Sequence, residues 1–442
     1  MQVKKPIILY LPGLFVSQLE QELKTNPPKW NYQKEYFYYL SHYLIVKQIQ
    51  QEKEKFFSLN TKKMKRTILW NIDNYVRYLV NGELLKRDFY INGSKAYHYK
   101  INPILLDGFR AVQINPHTKL FHKIINQQRN KQKHYNDADR RPFFLRKMWQ
   151  SFKKLDFDYD AARNWIELQA DSNKKHSYYS ALQLMEDKRF RYFKRNKTNF
   201  RLDTNLTNLK KELRQFLIGD FVQIDLANSQ PFLLSQVLNQ IFNSINNTNT
   251  KAIPLCCSYF GIDIVQYFGF QSFKPLFKFP QNDAFYKSGE LLDFMKTCES
   301  GRFYDNFLNR LDNMTRKEVK DMIYRVFYSQ NVVYEGFKKT VPFKKKKEQF
   351  AKMYPYIYEI IYLLKQKNYA NLSVLLQRIE SKVFIDTICP KLVDLGIVPI
   401  TIHDSVIIEK KHLETALNVC KNVFYEVFEV MPTFHVESLK KI

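Results

Sequence analysis

Two apolar runs in the second half of the chain each lead to an aspartate. Residues 221–226 predict a buried strand that contains Asp225, and the Asn-Ser-Gln-Pro segment soon after it predicts a helix start. Residues 398–409 form two apolar runs with His403-Asp404 between them, which predicts a β-hairpin with this pair at its tip. Both aspartates are therefore expected at strand ends that are flanked by core residues.

The segment between these two runs predicts an amphipathic helix that begins at a Thr315–Glu318 capping box. Its apolar stripe consists of Val319, Met322, Ile323 and Val326. A neighbouring face carries one side chain every four residues, namely Arg316, Lys320, Tyr324 and Tyr328. This face spans ~18 Å, about the length of a nucleoside triphosphate, and its cations lie in the first turns, where the helix dipole favours phosphate. Taken alone, a plain amphipathic helix with a basic edge explains the same pattern.

Two carboxylates on either side of such a helix predict a metal centre. Asp225 and Asp404 held close together cannot both stay ionised cheaply without a cation. Mg²⁺ prefers oxygen ligands and keeps waters, so two acids with a backbone carbonyl suit it. Two such ions activate an attacking hydroxyl and stabilise the leaving oxygen of an in-line displacement at phosphorus. The alternative is that Asp225 only caps the helix that follows it.

The first part of the chain carries a different pattern. Residues 28–60 are charged and aromatic and predict helix. Residues 61–106 predict a helix that ends at Asn81, followed by two short strands joined at an Asn92-Gly93 turn. A helix followed by a basic hairpin indicates a winged helix, whose wing lies along a nucleic-acid backbone. An ordinary α+β subdomain is the alternative that the sequence leaves open.

Several polar or strongly charged segments lie in the rest of the chain. Residues 107–200 predict very basic helices, and the three alternating aspartates within 156–160 are interpreted as a solvated loop because no partner acid or histidine lies at metal-ligand spacing. The asparagine-rich stretch 243–250 predicts a polar break between helices. The run from Lys344 to Lys347 predicts a solvated turn.

Composition points to a polyanionic partner. The 442 residues carry a formal net charge of +27, and 16% of them are aromatic. Phosphate contacts require Lys and Arg, and unpaired bases stack on aromatic rings, so nucleic acid is expected; a merely basic, soluble surface is the alternative. The five cysteines form no CxxC pair, which argues against zinc and against a disulfide framework. The amino-terminal apolar stretch lacks a cleavage pattern, and no run approaches the ~20 apolar residues of a membrane span. We therefore expect a cytoplasmic protein, at the nucleoid or a replication site, without membrane contact.

These elements together resemble family A DNA polymerases, which are related to the single-subunit phage RNA polymerases. The family has an acid at a strand end, a fingers helix of the form R-x3-K-x3-[FY]-x3-Y and a His-Asp hairpin. The matching residues are Asp225, Arg316, Lys320, Tyr324, Tyr328, His403 and Asp404. Two weaker matches follow the same order: FRLDTNLTNL resembles a primer-template segment at Arg201 and Asn208, and NLSVLLQRIES resembles a segment whose glutamine, here Gln377, touches the minor groove. The resemblance covers about residues 195–442.

The resemblance implies an α+β right-hand polymerase fold. It places a palm with an antiparallel sheet at 201–240 and 371–442, and helical fingers at 241–370. The first half of the chain matches neither the family's usual exonuclease nor its thumb. We expect a nucleic-acid-binding region at 1–106, which includes the winged-helix segment, and a basic helical, thumb-like connector at 107–200.

Functional roles follow from the resemblance by position. It assigns two Mg²⁺ ions, for which Mn²⁺ can substitute, to Asp225, Asp404 and the Leu226 carbonyl. It places the triphosphate on Arg316 and Lys320, with Lys320 as proton donor to the pyrophosphate. The further nucleotide contacts are Tyr324 on the sugar, Tyr328 at the templating position and Gln230 beside the 2′-hydroxyl. The primer-template contacts are Arg201, Asn208, Gln377 and His403.

Three positions depart from the pattern of the DNA enzymes. Gln230 replaces a glutamate that blocks the 2′-hydroxyl, Ser329 replaces a glycine, and Ser405 follows the hairpin aspartate as in the RNA polymerases. Tyr324 favours the DNA side, so the sequence leaves the sugar open while favouring DNA. We expect a compact enzyme of a mobile element or phage that adds dNTPs to a DNA primer-template.

Other functions fit the same sequence. An RNA polymerase or primase of the same fold would use rNTPs and RNA. A basic replication initiator would use the winged helix alone and keep both aspartates for structure. Template-independent tailing would share the active site and differ only in the product sequence. The chain gives no indication of a protein partner.

Overall fold

A computed structural model provides the architecture of the chain. The residues that it describes are 5–50, 56–88, 97–108, 110–133, 142–170, 175–246, 267–268, 285, 288–311, 314–335 and 338–440. The chain divides into two compact units. The first unit comprises Met1–Arg141, Lys153–Phe193 and Thr204–Ile218, and the second comprises Pro142–Phe152, Lys194–Asp203 and Gly219–Ile442. The predicted domain boundaries stay predictions.

The strands are short and all pair antiparallel where their register is defined. They are β1 (Ile7–Leu11), β2 (Phe57–Ser58), β3 (Leu85–Arg87), β4 (His98–Ile101), β5 (Arg110–Ile114), β6 (Phe193–Arg195), β7 (Leu202–Thr204), β8 (Phe221–Leu226), β9 (Val333–Glu335), β10 (Lys338–Thr340), β11 (Ile400–Ile402), β12 (Ser405–Glu409) and β13 (Phe434–Ser438).

Helices make up most of the remaining described chain. They are α1 (Gly13–Thr25), α2 (Lys34–Gln50), α3 (Thr61–Thr67), α4 (Ile72–Asn81), α5 (Lys119–Lys133), α6 (Phe143–Lys154), α7 (Tyr159–Gln169), α8 (Lys175–Glu186), α9 (Asn205–Asn208), α10 (Ser229–Asn246), α11 (Glu290–Glu299), α12 (Phe303–Arg310), α13 (Arg316–Tyr328), α14 (Lys344–Met353), α15 (Pro355–Leu364), α16 (Ala370–Ser381), α17 (Cys389–Asp394) and α18 (Leu413–Phe428). Across the described ranges, every helix is too short or too polar to cross a bilayer.

The first unit contains a three-stranded sheet next to a pair of short helices. The chain order is α2, β2, α3, α4, β3, β4, and the order in the sheet is β2-β4-β3, so the last strand lies in the middle. Helix α4 ends at Asn81, as the sequence predicted, and its buried side packs with Phe57 and Ile101 in one core. The predicted Asn92-Gly93 turn lies outside the described residues.

The second unit is built on a four-stranded antiparallel sheet with the order β11-β12-β8-β13. Strand β8 therefore lies between β12 and β13, and its residues Val222, Ile224 and Leu226 are buried. Aromatic rings of α10 and α18 pack together near this sheet, with Phe232 5.8 Å from Phe424 between ring centroids. Phe424 also contacts Phe434 of β13, with 5.3 Å between ring centroids, so this aromatic packing reaches the edge strand of the sheet.

Two of the predicted polar segments belong to helices, so these predictions were wrong. The run from Lys344 to Lys347 forms the first turn of α14. Lys347 is only 2% exposed, and its ammonium donates to the Gln330 carbonyl at 2.5 Å. Residues 243–246 of the predicted polar break continue α10, and the rest of that stretch lies outside the described residues. Asp158, in the predicted solvated loop, accepts a hydrogen bond from the Ala161 amide and caps α7.

Candidate functional site

The sheet of the second unit brings Asp225 and Asp404 to neighbouring strands. Asp225 lies directly opposite Ser405, the first residue of β12, and Asp404 immediately precedes Ser405. The Leu226 amide donates to the Asp404 carbonyl at 3.2 Å, so the backbones of the two segments are in direct contact. Both aspartates are half-buried. The sequence predicted two strand-end acids, and the register places them side by side.

The tip of the hairpin is a tight two-residue turn. Ile402 pairs with Ser405, and His403, in between, has a left-handed backbone conformation with φ of 53°. The Ser405 hydroxyl donates to the Ile402 carbonyl at 2.7 Å and accepts from the Gln223 amide at 3.0 Å. Ser405 is fully buried. Its side chain therefore braces the turn that presents Asp404, while His403 is exposed.

A third carboxylate, which sequence reasoning missed, lies beside the pair. Glu380 of α16 is 1% exposed and forms a two-pronged ion pair with Arg201, whose Nε and Nη2 donate to its two oxygens at 2.8 and 2.9 Å. The Gln230 amide donates to the same carboxylate at 2.5 Å, and the Ser229 hydroxyl at 3.4 Å. The available signal was the position of Glu380 directly after Ile379 and four residues after Leu376, on the side of the helix that carries its apolar residues.

Burial makes this group of acids electrostatically costly. It raises the pKa of Glu380 to about 8, the negative charge of Asp404 adds to that rise, and Arg201 opposes it. Burial also raises the pKa of Asp404, which Arg201 and Ser229 oppose. A carboxylate with a raised pKa gains more than an ordinary one from a nearby cation. The site therefore favours positive charge at the Asp225–Asp404 pair.

The donor set is suited to a hard cation that keeps part of its hydration shell. Among the residues that the structure describes, no three His, Cys, Asp or Glu side chains converge as metal ligands. A site for zinc would need such a set. Mg²⁺ instead binds through one or two carboxylates together with waters and substrate phosphates. Asp225 and Asp404 fit that mode.

The predicted helix with a cationic and aromatic face is α13. Its capping box is present: the Thr315 hydroxyl accepts from the Glu318 amide at 3.3 Å, and the Glu318 carboxylate accepts from the Thr315 amide at 2.8 Å. The rings of Tyr324 and Tyr328 stack with centroids 4.7 Å apart. The Tyr328 hydroxyl donates to the Gln230 side-chain carbonyl at 3.1 Å. Gln230 thus joins α13 to the buried Glu380.

Tyr304 of α12 is a second residue that the sequence did not reveal. The Arg316 guanidinium and the Lys320 ammonium lie 5.8 and 5.4 Å from the centroid of its ring. Burial raises the pKa of Tyr304 to about 12, and the charge of Asp404 contributes to the rise. Arg316 also forms an ion pair with Asp305. Tyr304 therefore connects the cationic face of α13 with the aspartates, although no spacing rule predicted it.

The predicted primer-template residues fall into both units. The Gln377 side-chain oxygen accepts from the Asn199 amide at 3.1 Å, and Arg201 is held by Glu380 one turn further along α16. Asn208 belongs to the first unit, where its amide contacts the Tyr192 hydroxyl. The structure therefore brings Arg201 and Gln377 to the acids, and the role of Asn208 stays a prediction.

Comparison with known proteins gives limited similarity. No protein-family model matches the chain, and no curated protein matches it. One similar solved structure is the POL domain of Pol1 from M. smegmatis, in complex with DNA primer-template and dNTP, with 10% sequence identity and a TM-score of 0.31. The match covers 72% of this chain and 64% of that chain, so this chain spans less than two thirds of the length of the Pol1 structure. At this TM-score, function has to rest on the residues of the site itself.

Proposed function

We propose that the chain is a template-directed nucleotidyltransferase of the family A type, which joins a dNTP to the 3′-hydroxyl of a DNA primer and releases pyrophosphate. The observation that carries this proposal is the placement of Asp225 on β8 next to Asp404 in the turn that leads into β12, together with a helix that has a cationic and aromatic face. Gln230 links that helix to the buried Glu380, and Tyr304 lies against the cationic groups of Arg316 and Lys320. The palm at 201–240 and 371–442 and the fingers at 241–370 belong to the same proposal.

Asp225 and Asp404, with the Leu226 carbonyl, would hold two Mg²⁺ ions, or Mn²⁺ in their place. Ions held there would supply the charge that lowers the pKa of the attacking hydroxyl and neutralises the leaving oxygen. The contribution of the chain is to hold two half-buried carboxylates close together, with Asp404 at the tip of a braced hairpin and Asp225 on the neighbouring strand β8. Because the two carboxylates are already held in position, they would not have to rearrange during the reaction.

The triphosphate lies along the first turns of α13. Arg316 and Lys320 are exposed there, and their cationic groups flank the Tyr304 ring. The triphosphate takes the place of Asp305 as partner of Arg316, since a phosphate accepts the same paired N–H donors as a carboxylate. Lys320 gives a proton from its ammonium to the departing pyrophosphate. Its exposure keeps it within reach of that oxygen.

The sugar and base lie against the second half of the same face. Tyr324 contacts the sugar and Tyr328 lies at the templating position. Gln230 has a fixed orientation, since its amide nitrogen donates to Glu380 and its oxygen accepts from Tyr328. This fixed side chain closes the 2′ side of the nucleotide and favours dNTPs. Ser405 is wholly buried in the hairpin, where its hydroxyl bonds to Ile402 and Gln223, so we assign it no contact with the sugar.

The primer-template passes along α16, where Gln377 and Arg201 contact the minor groove and His403 contacts the primer end. Glu380 is a positioning residue, because it holds Arg201 and Gln230 without reaching the substrate itself. Residues 1–106 and 107–200 form the nucleic-acid-binding and thumb-like regions of a compact mobile-element or phage enzyme at a replication site.

Primer extension tests this function. The full chain is incubated with Mg²⁺, a defined template and a labelled primer, with dNTPs and rNTPs in parallel. We expect template-dependent extension with dNTPs that is lost in Asp225→Asn and in Asp404→Asn. The exposed Asp394→Asn variant is the matched control and keeps full activity. Extension by both active-site variants would overturn the metal site, and rNTP products without a primer would make the enzyme a primase.

A further inference from the structure

The turn between α3 and α4 exposes a tryptophan. Trp70 is 78% exposed, although tryptophan is among the residues that proteins bury most extensively. The residues on either side of it, Leu69 and Asn71, are half-buried, so the exposed indole is a single projecting ring rather than part of an apolar patch. An isolated aromatic ring of this kind is suited to a flat partner that has a π-face.

Helix α4 continues this surface with polar side chains. Asn74, Arg77 and Asn81 follow Trp70 at intervals of four, three and four residues, which places them on one side of the helix. The opposite side is buried and consists of Ile72, Tyr75, Val76 and Leu79. Asparagine and arginine are the side chains that pair with adenine and guanine edges in a DNA major groove. Helix α4 therefore presents a base-reading set next to an aromatic ring.

Exposed cations flank this stripe. Those that the structure describes are Lys62, Lys65 and Arg66 on α3, and Lys86 and Arg87 on β3. Three acids lie close to these cations in sequence: Asp73, which pairs with Lys65, and Glu83 and Asp88 beside β3. Cations spread along both flanks of a helix complement two phosphate backbones, whereas the core of a protein interface is depleted of charged residues, lysine among them.

The topology explains how these groups meet a nucleic acid. Helices α2, α3 and α4 alternate with a three-stranded sheet in which the last strand is central, which is the arrangement of a winged helix. In that arrangement the last helix enters the major groove. A protruding indole cannot insert between stacked base pairs without unstacking them, but it stacks readily on an unpaired base.

From these observations we propose that the α3–α4 surface, defined as Lys62, Lys65, Arg66, Trp70, Asn74, Arg77 and Asn81, binds DNA where a duplex meets a single strand. Helix α4 lies along the duplex, and Trp70 stacks on the first unpaired base. Nothing in this inference requires the nucleotidyltransferase reaction. It adds a second DNA site, in the first unit, that selects the form of the DNA by stacking and contributes affinity through its cations.

Fluorescence anisotropy of the full chain tests the proposal. The probes are a DNA duplex with a single-stranded extension and the same duplex with blunt ends, without nucleotides. We expect Trp70→Ala to weaken binding to the extended duplex by roughly 5- to 150-fold, the range for loss of one stacked base, while binding to the blunt duplex changes little. Trp70→Phe keeps a stacking ring and should restore much of the loss. Tyr425→Ala removes an exposed aromatic ring elsewhere and serves as control.

A crosslinking experiment separates this site from the proposed active site. DNA with 5-iodouracil at the first unpaired position should crosslink to Trp70 on irradiation, identified by peptide mass, in wild type and equally in Asp404→Asn. The proposal would be overturned if Trp70→Ala lost affinity equally for the extended and the blunt duplex, or if it bound both as the wild type does. A crosslink confined to the second unit would also overturn it. Tighter binding of the RNA counterpart would overturn DNA as the ligand. If the chain bound the junction normally but did not synthesise DNA, the nucleotidyltransferase proposal would fail and the α3–α4 proposal would stand.

Discussion

The carboxylate centre of the second unit, defined as Asp225, Glu380 and Asp404, and the α3–α4 surface of the first unit hold their charges in opposite environments. The charges of the first are buried or half-buried, and those of the second are exposed. In the centre, Glu380 is 1% exposed, and its partner Arg201 has only 18% of its side chain exposed. On the surface, the Lys65–Asp73 pair has 44% and 43% of its side chains exposed. A buried charge that loses its partner destabilises the protein strongly, whereas an exposed pair contributes little to stability. Burial, rather than the number of charges, decides how much one substitution costs.

The two regions should also differ in what a substitution changes: the rate of the reaction in the carboxylate centre, and the affinity for DNA on the α3–α4 surface. In the centre, a few hydrogen bonds fix the geometry. Gln230 donates to Glu380, and Ser405 braces the turn that presents Asp404. On the surface, many cations act together, and each phosphate contact adds a similar small increment to binding. Substitutions in the centre should therefore have large and specific effects, while substitutions on the surface should have small effects that accumulate.

The largest effect is expected from removing the buried acid. Glu380→Ala leaves the Arg201 guanidinium without its carboxylate and should lower the free energy of unfolding by ~3–5 kcal/mol. Glu426→Ala breaks the exposed pair with Lys391 and should cost ~0–1 kcal/mol. Denaturant unfolding measures both. Equal costs for the two variants would show that burial does not set the contrast.

A smaller effect is expected from the proposed proton donor. Lys320→Ala should lower the single-turnover rate of nucleotide addition ~10²-fold, as for loss of a general acid, with little change in DNA affinity. Lys317→Ala, an exposed lysine three residues earlier on the same helix, is the control and should keep the rate. An unchanged rate in Lys320→Ala would remove the role assigned to that residue.

A buried cation in the second unit gives a pH-dependent test. The Lys365 ammonium donates to the Val326 carbonyl at 2.6 Å, and burial, followed by the charge of Lys347, lowers its pKa from 10.5 to about 7. The folded chain then binds fewer protons than the unfolded chain between these pH values. The free energy of unfolding should therefore rise with pH from about 7 to 10.5, by at most about 1.4 kcal/mol per pH unit for one proton.

Lys365→Met removes this titrating group. Its unfolding free energy should rise less steeply over that pH range than that of the wild type, as measured by denaturant unfolding at several pH values. The exposed Lys352→Met variant should keep the wild-type slope. The same slope in all three proteins would contradict the effect of burial on Lys365.

The smallest effect is expected for a single cation of the surface. Arg66→Ala should weaken binding to the extended duplex ~3-fold and reduce the slope of log affinity against log salt by about 1. Combining it with Lys62→Ala should add a similar increment, since both residues are exposed. A large loss from Arg66→Ala alone, or an unchanged salt slope, would show that this surface does not act through additive phosphate contacts.

Local sequence signals predicted the elements that carry both regions. The capping box at Thr315, strand 221–226 and the end of α4 at Asn81 all match the structure. Each depends on residues close together in the chain, where capping, alternation and turn chemistry act. The prediction of a solvated turn at Lys344–Lys347 was wrong, because these lysines begin a helix whose buried side packs on distant residues.

The amino-acid sequence by itself determined that two acids end strands and that a cationic and aromatic face lies between them. Only the tertiary structure decided that Glu380 pairs with Arg201, 179 residues away, and that Tyr304 lies between Arg316 and Lys320. Those contacts depend on strand register and helix packing, which no local pattern encodes. The burial of Glu380 is likewise a property of the assembled core, and burial is what raises its pKa.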